Sequence, residues 1–388
     1  MLKYLKRHTN ANTFIPEIDG LRFFAIITVV IYHLNTTYAE AVNTAWKPIL
    51  DISNPLYVGW WLLRLDLGVK VFFAISGFVL ALPFLKHYLQ GEAKISIGEY
   101  FYRRLTRLEP PFVITLLGFY AVHVFVLHND ALELLPSLLA SLLYIHSFVF
   151  GIPSSINPVT WSLETEAQFY IVIPFLLAVI FYVKNKLIRY ALILLMIGLS
   201  IWWKTIILQQ DIEHLYYSIF SYLSNFMVGV LFAKIFLTYP RFFKTKNIVY
   251  DLLGLFSIFI IFYFYKPQSL WTNNLIFNIA LFAMILSAFK GIIFNYFYTR
   301  QIIYVIGGMC YTIYLLHYAF FHLLMKFSKT ITQELNYGTA LLIQMGIALT
   351  LLMVISSLFF ILIEKPCMNK KWPQQLRNFL LKIVARIS

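Results

Sequence analysis

Charge is what this chain has least of. Only 12% of its 388 residues are Asp, Glu, Lys or Arg, against about 25% in soluble domains, which excludes a sizeable soluble domain. Cysteine is nearly absent, with 2 residues. Cys310 sits in an apolar stretch and Cys367 beside the charged tail, so neither a disulfide nor a metal site is expected. There is no repeat, no low-complexity segment and no internal domain boundary. A cleavable leader is not expected either. The basic MLKYLKRHTN precedes an apolar run, but that run is long, holds Arg22 and His33, and lacks a small-residue cleavage site, so it reads as an uncleaved first span.

What is present is apolar. Hydrophobic residues make up 60% of the chain, in recurring stretches of about 20, each long enough to cross a bilayer. The expected fold is all-α, a polytopic membrane bundle of about ten spans. They fall near 20–38, 66–85, 109–127, 164–183, 188–207, 214–236, 248–265, 271–289, 302–325 and 338–362. With ten spans most basic residues fall on one side, which places both termini in the cytoplasm. Counting 131–150 as an eleventh crossing would spoil that asymmetry, so it is expected to be re-entrant or interfacial. The net charge of +14 then reads as topology, not as a nucleic-acid footprint. Residues 1–366 form the transmembrane unit. Residues 367–388 form an amphipathic cytoplasmic tail, with Leu376, Phe379, Leu380, Ile383 and Val384 at helical spacing between Arg377, Lys382 and Arg386.

Several polar groups interrupt the apolar runs. In EIDGLRFFAIITVVIYH, Arg22 and His33 are eleven residues apart, on one helix face and about 16 Å apart along the axis. Ionisable residues within a span are functional candidates, although a snorkelling arginine and a histidine bonded to a neighbouring helix would look the same. Asp19 reads as a helix N-terminal group. RRLTRLEPP places Arg103, Arg104 and Arg107 just before a span opened by Pro110 and Pro111; the cluster is either a cytoplasmic anchor or a clamp for phosphates. In NPVTWSLETEAQFY, Glu164 and Glu166 sit at a span mouth on the non-cytoplasmic side and point to different faces. Trp161 and Tyr170 there read as interface aromatics.

In DLGVKVFFAISGF, Ser76 and Gly77 suit close helix packing, and Lys70 has Asp66 one turn away. In GGMCYTIYLLHYAFFH, His317 is mid-span and His322 nearer the outer end; a satisfied interior polar group is the ordinary reading of either. Glu364, in IEKP, has Lys365 or an arginine as its expected partner.

In this order the motifs resemble the membrane acyltransferase-3 family, over roughly 15–366. The resemblance implies an enzyme of the bacterial inner membrane that moves an acyl group, commonly acetyl, from acyl-coenzyme A to a hydroxyl of a sugar or other acceptor. Arg22 and His33 match the family's first-span motif, Arg104 and Arg107 its arginine pair, and Trp161, Ser162 and Glu166 its tryptophan–serine–glutamate motif. Glu364 matches the terminal motif loosely. Lys70 departs from it, since the family often has an acidic residue there. No esterase-like domain of the kind some members carry is attached, so the chain is expected to complete transfer alone or hand its product on.

The roles that follow are expectations. His33 is the general base, Arg22 supports the oxyanion, and Glu166 orients the acceptor or the histidine. Arg103, Arg104 and Arg107 hold the phosphates of acetyl-coenzyme A, and Trp161, Ser162 and His317 lie near the substrate. The partners are acyl-coenzyme A, a carbohydrate acceptor and the bilayer, with no metal and no nucleic acid. Arg22 and His33 are expected as two stations on one path, not in contact. A proton-coupled transporter or flippase with a His33–His317–Glu166 relay is the runner-up, without the inverted repeats it would carry. A non-catalytic assembly subunit is the third reading.

Overall fold

The computed structural model describes residues 2–7, 14–42, 57–265, 271–369 and 371–377. Helices form throughout, with no strand among the described residues. The main helices are α1 (Pro16–Ala41), α2 (Gly68–Gln90), α3 (Ile97–Phe125), α4 (Ala131–Leu142), α5 (Trp161–Tyr182) and α6 (Lys186–Gln209). They are followed by α7 (Ile219–Thr238), α8 (Val249–Phe264), α9 (Trp271–Lys290), α10 (Gln301–Gly308), α11 (Cys310–Ser328) and α12 (Tyr337–Phe359).

Each of the ten expected stretches is helical, with 214–236 and 302–325 each divided between two helices. Among the described residues, seven helices are long and apolar enough to span, or eight if α10 and α11 are one span bent by 66°. Helix α8 has 16 residues, about 24 Å of rise, short of the roughly 30 Å hydrocarbon core. Helix α1 has 26 residues and carries Glu17, Asp19, Arg22, His33, Asn35 and Glu40; it is not among the seven. It can carry them because it stands inside the bundle, packed on α2, α10 and α11. The 131–150 stretch becomes a 12-residue helix α4 and a short turn at His146–Phe150. At about 18 Å, α4 is too short to cross. The amphipathic tail rests on Phe379, Leu380, Ile383 and Val384, which lie outside the described residues.

Proline placement also differs from expectation. Pro110 and Pro111 do not open a helix; α3 begins thirteen residues before Pro110, with Ser96 accepting from the Glu99 N–H at 3.5 Å. Proline inside a helix frees the carbonyl four residues back. Here the carbonyl freed by Pro110, that of Thr106, accepts the Trp372 indole N–H at 2.8 Å. In α5, Pro174 frees the carbonyl of Tyr170, which accepts the Tyr100 hydroxyl at 3.3 Å. Neighbouring side chains thus replace the lost backbone donors, the condition for proline in an apolar surrounding.

Two glycines set how closely the helices approach. A Cβ on Gly77 would lie 1.9 Å from the Phe226 carbonyl of α7, so α2 and α7 touch backbone to backbone, as the SG pair suggested. A Cβ on Gly307 would lie 1.8 Å from the Asp19 carbonyl. That contact sets the start of α1 against the bend between α10 and α11.

Candidate active site

A cavity of about 1120 Å³ is lined by residues of α1, α2, α3, α5 and α11. Arg103, Arg104 and Arg107 of α3 line it together with Arg22 of α1 and Arg7 of the N-terminal segment. Arg104 is held between two rings, its guanidinium 4.6 Å from the centre of Tyr100 and 5.1 Å from that of Tyr170. Arg103 pairs with Glu99 one turn back and is half exposed. The Nε atoms of Arg7, Arg104 and Arg107 are buried without a hydrogen-bond partner. Unfilled donors from three guanidinium groups around one cavity suit a ligand rich in anionic oxygens.

Asp19 organises the arginines at the start of α1. It is 1% exposed and receives Arg22 Nη1 at 2.6 Å and Arg7 Nη2 at 2.9 Å. Its role is therefore wider than completing a helix N-terminus. Burial, followed by the like charge of Arg22, draws the Arg7 guanidinium down to about 10, which leaves it charged at neutral pH. Arg7 was not singled out from sequence, because nothing local marks it.

The two carboxylates of α5 part company, as their spacing required. Glu164 is buried and accepts the Ser147 N–H at 2.9 Å. Glu166 lines the cavity, accepts the Ser76 hydroxyl at 2.5 Å and lies within electrostatic reach of Arg22. Glu166 thus shares one cavity with the α3 arginines, not the opposite mouth of the bundle. Its hydrogen-bond partners are Ser76 and Tyr170 rather than His33, one of the two groups it was expected to orient. Ser76 takes part in the site where only close packing had been read. Tyr170 and Trp161 are not interface anchors: Tyr170 stacks on Arg104, and Trp161 packs against Phe73, Tyr217 and Tyr222.

Deeper along α1, His33 meets His317 of α11, with Nδ1 and Nε2 3.0 Å apart. The His317 Nδ1 lies 2.8 Å from the Tyr314 carbonyl and 3.2 Å from that of Ile313. Carbonyls only accept, so His317 carries its proton on Nδ1 and, when neutral, its Nε2 is an acceptor. His33 must then donate from Nδ1, which leaves its own Nε2 with a free lone pair. A histidine oriented in this way is a ready general base.

The cavity lining includes neither His33 nor His317 nor Trp161. Between the cavity and the histidines stands Tyr314. Its hydroxyl donates to the Val159 carbonyl at 2.9 Å and its oxygen lies 2.6 Å from the Ser162 hydroxyl. Its ring centre lies 5.5 Å from that of His317 and 6.0 Å from that of Phe72. The structure therefore brings Arg22, Arg103, Arg104, Arg107, Ser162 and Glu166 to one cavity. It sets His33 and His317 behind the wall that Ser162 and Tyr314 form.

In two expected pairings the charged partner stays within electrostatic reach, Arg107 and Arg7 for Glu364 and Asp66 for Lys70, but the hydrogen bonds go elsewhere. Glu364 is buried and accepts from the Thr312 N–H and hydroxyl at 3.2 and 2.5 Å, while Lys365 donates to the Tyr4 carbonyl. Asp66 accepts the Tyr265 hydroxyl at 2.6 Å, and the Lys70 ammonium sits over the Tyr265 and Phe277 rings at 4.2 and 4.8 Å. Arg22 bonds Asp19 and His33 bonds His317, so the two first-span residues serve separate partners.

A family model described as an acyltransferase domain matches residues 15–363. Among curated proteins, O-acetyltransferase OatA of Staphylococcus aureus (strain NCTC 8325 / PS 47) is 24% identical over 329 residues, covering 79% of this chain and 50% of the relative. A second protein of Staphylococcus aureus (strain COL), provisionally named an O-acetyltransferase, is 25% identical over 340 residues with the same coverage of each chain, 79% and 50%. The chain thus spans about half the length of the curated relatives it matches. No solved structure matches it.

Proposed function

The chain belongs to the acyltransferase family whose model it matches, and on that premise we propose that it is a membrane O-acyltransferase. It takes an acyl group, acetyl first, from cytoplasmic acyl-coenzyme A and passes it to a hydroxyl of a cell-surface or lipid-linked sugar. The membrane is the bacterial inner membrane. The single observation that carries this reading is the cavity itself. It gathers Arg22, Arg103, Arg104, Arg107 and Glu166, spread over more than 140 residues of sequence, around unfilled guanidinium donors.

Arg103, Arg104 and Arg107, joined by Arg7, hold the coenzyme phosphates. The acyl-pantetheine arm runs toward Arg22, Ser76 and Glu166. His33 Nε2 takes the proton of the acceptor hydroxyl. The acceptor oxygen bonds to the acyl carbon, the carbon–sulfur bond breaks, and the coenzyme leaves as thiolate and is protonated. The donor and acceptor sides communicate when the Tyr314–Ser162 contact opens. Arg22 sits on the donor side and steadies the thioester end; the oxyanion at His33 is formed beyond it. Trp161 and Ser162 lie along the acceptor's approach.

The test is thiol release from acetyl-coenzyme A by purified protein, with and without glycan acceptor. Release tied to acceptor supports the reading. Movement of glycan across proteoliposomes without thiol release would overturn it in favour of transport.

A further inference from the structure

Buried lysines are met in different ways: Lys234, 2% exposed, has its ammonium over the Tyr190 ring and no hydrogen-bond partner among the described residues, whereas Lys290 is fully satisfied. Lys290 is 3% exposed and donates to the Phe242 carbonyl, the Thr245 carbonyl and the Thr245 hydroxyl at 2.6, 2.5 and 2.8 Å. Every ammonium hydrogen has an oxygen.

Lys70 and Lys204 are each 5% exposed, yet neither has an oxygen acceptor among the described residues. Lys70 lies over Tyr265 and Phe277, and Lys204 has its ammonium 5.1 Å from the centre of the Tyr222 ring. Their side chains are within hydrogen-bond reach of each other. One carboxylate, Asp66, acts on both. One of its oxygens is taken by the Tyr265 hydroxyl, and the other, Oδ1, is buried and unpartnered. Two ammonium groups share one carboxylate, inside a bundle where an uncompensated charge is costly. With both lysines charged, the cluster is short of one negative charge, which an anion with oxygen acceptors would supply.

The surroundings say what carries that charge. Asp66 also lies within electrostatic reach of Tyr32 and Tyr222. The Tyr32 ring contacts that of His33, with centres 5.1 Å apart. Tyr222 packs on Trp161 at 5.2 Å, and Trp161 on Tyr217 at 5.1 Å. Rings of this kind offer flat apolar faces with polar edges, which suits a sugar ring. Lys70 is six residues before Ser76, about 9 Å along α2 beyond the Ser76–Glu166 contact that lines the cavity.

We propose that Lys70 and Lys204, with Asp66, form an anion subsite on the acceptor side of the Tyr314 wall. It recognises a carboxylate or phosphate carried by the sugar whose hydroxyl is presented to His33. The assignment to an acceptor rests on the acyltransferase reading above; the anion site itself does not.

The experiment measures thermal unfolding of the purified full-length protein in detergent, titrated with glucuronate, glucose 6-phosphate and glucose. Wild type is compared with Lys70→Met, Lys204→Met and the double variant; methionine keeps the volume and removes the charge. Elution volume and the unfolding temperature without sugar check the fold. At least one anionic sugar stabilises wild type saturably, glucose does not, and the midpoint concentration rises about tenfold or more in each variant. The arm that responds tells carboxylate from phosphate. If neither anionic sugar stabilises wild type, or if the double variant responds as wild type does, the subsite is overturned. Acetyl-coenzyme A is titrated in parallel. Its failure to bind would count against the donor reading and leave the anion result standing.

Discussion

His33 and His317, 284 residues apart in sequence, meet nitrogen to nitrogen at 3.0 Å. Because the Tyr314 carbonyl takes the His317 Nδ1 proton, this contact fixes which nitrogen of His33 is free. The chain of bonds runs from a backbone carbonyl through one imidazole to the next and ends on a lone pair. In that arrangement His317 positions and His33 reacts.

His33→Ala is expected to lower kcat for acyl transfer by about 10²- to 10⁴-fold, the usual weight of a general base. Acetyl-coenzyme A binding, measured by thermal stabilisation, stays as in wild type. Full transfer at normal protein levels would refute the assignment.

His317→Leu removes the acceptor of the His33 proton. kcat falls about tenfold or more, KM for acetyl-coenzyme A is unchanged, and the pH–rate profile moves, because His33 is released from one tautomer. A purely structural role would leave the profile in place.

Arg7→Gln and Arg104→Lys each raise KM for acetyl-coenzyme A by roughly tenfold or more, the weight of one charge-assisted bond, with a smaller change in kcat. The lysine at 104 keeps the charge but loses the fork and the fit between the Tyr100 and Tyr170 rings. An unchanged KM in both would remove the phosphate clamp.

Tyr314→Phe breaks the contacts with Ser162 and the Val159 carbonyl. The wall then opens more readily, and thiol release from acetyl-coenzyme A in the absence of acceptor is expected to rise several-fold. No rise above wild type would show that Tyr314 does not separate the two sides.

Gly307→Ala tests the packing under the site. A Cβ there meets the Asp19 carbonyl at 1.8 Å, so α1 and α10 must separate. The expected cost is about 1–3 kcal/mol, read as a lower unfolding temperature. An unchanged temperature would mean the helices part without penalty.

The helices were legible because apolar runs and their interruptions are local. So was the divergence of Glu164 and Glu166, and so were the separate partners of Arg22 and His33, since helix geometry alone decides them. What sequence did not yield depends on packing between distant segments. Arg7 is held at the cavity by its ion pair with Asp19, a residue of another segment. Ser76 meets Glu166 across 90 residues, and Tyr314 meets Ser162 across 152. Lys70 does feel Asp66 one turn away, as spacing suggests, but the Tyr265 hydroxyl that bonds one carboxylate oxygen and the second lysine, Lys204, come from distant segments. Pro110 was read as a helix start because the donor that excuses it, Trp372, lies 262 positions away.

That last pairing bears on assembly. A helix inserted alone with an interior proline holds one carbonyl that nothing in its own backbone can satisfy. Buried away from water, such an omission costs about 1–3 kcal/mol. The carbonyl is in effect an address: Thr106 is answered by Trp372, and Tyr170 by Tyr100. A wrong neighbour without a donor at that height leaves the address unanswered. The prolines beside the arginine cavity therefore favour the packing in which each freed carbonyl meets a side-chain donor.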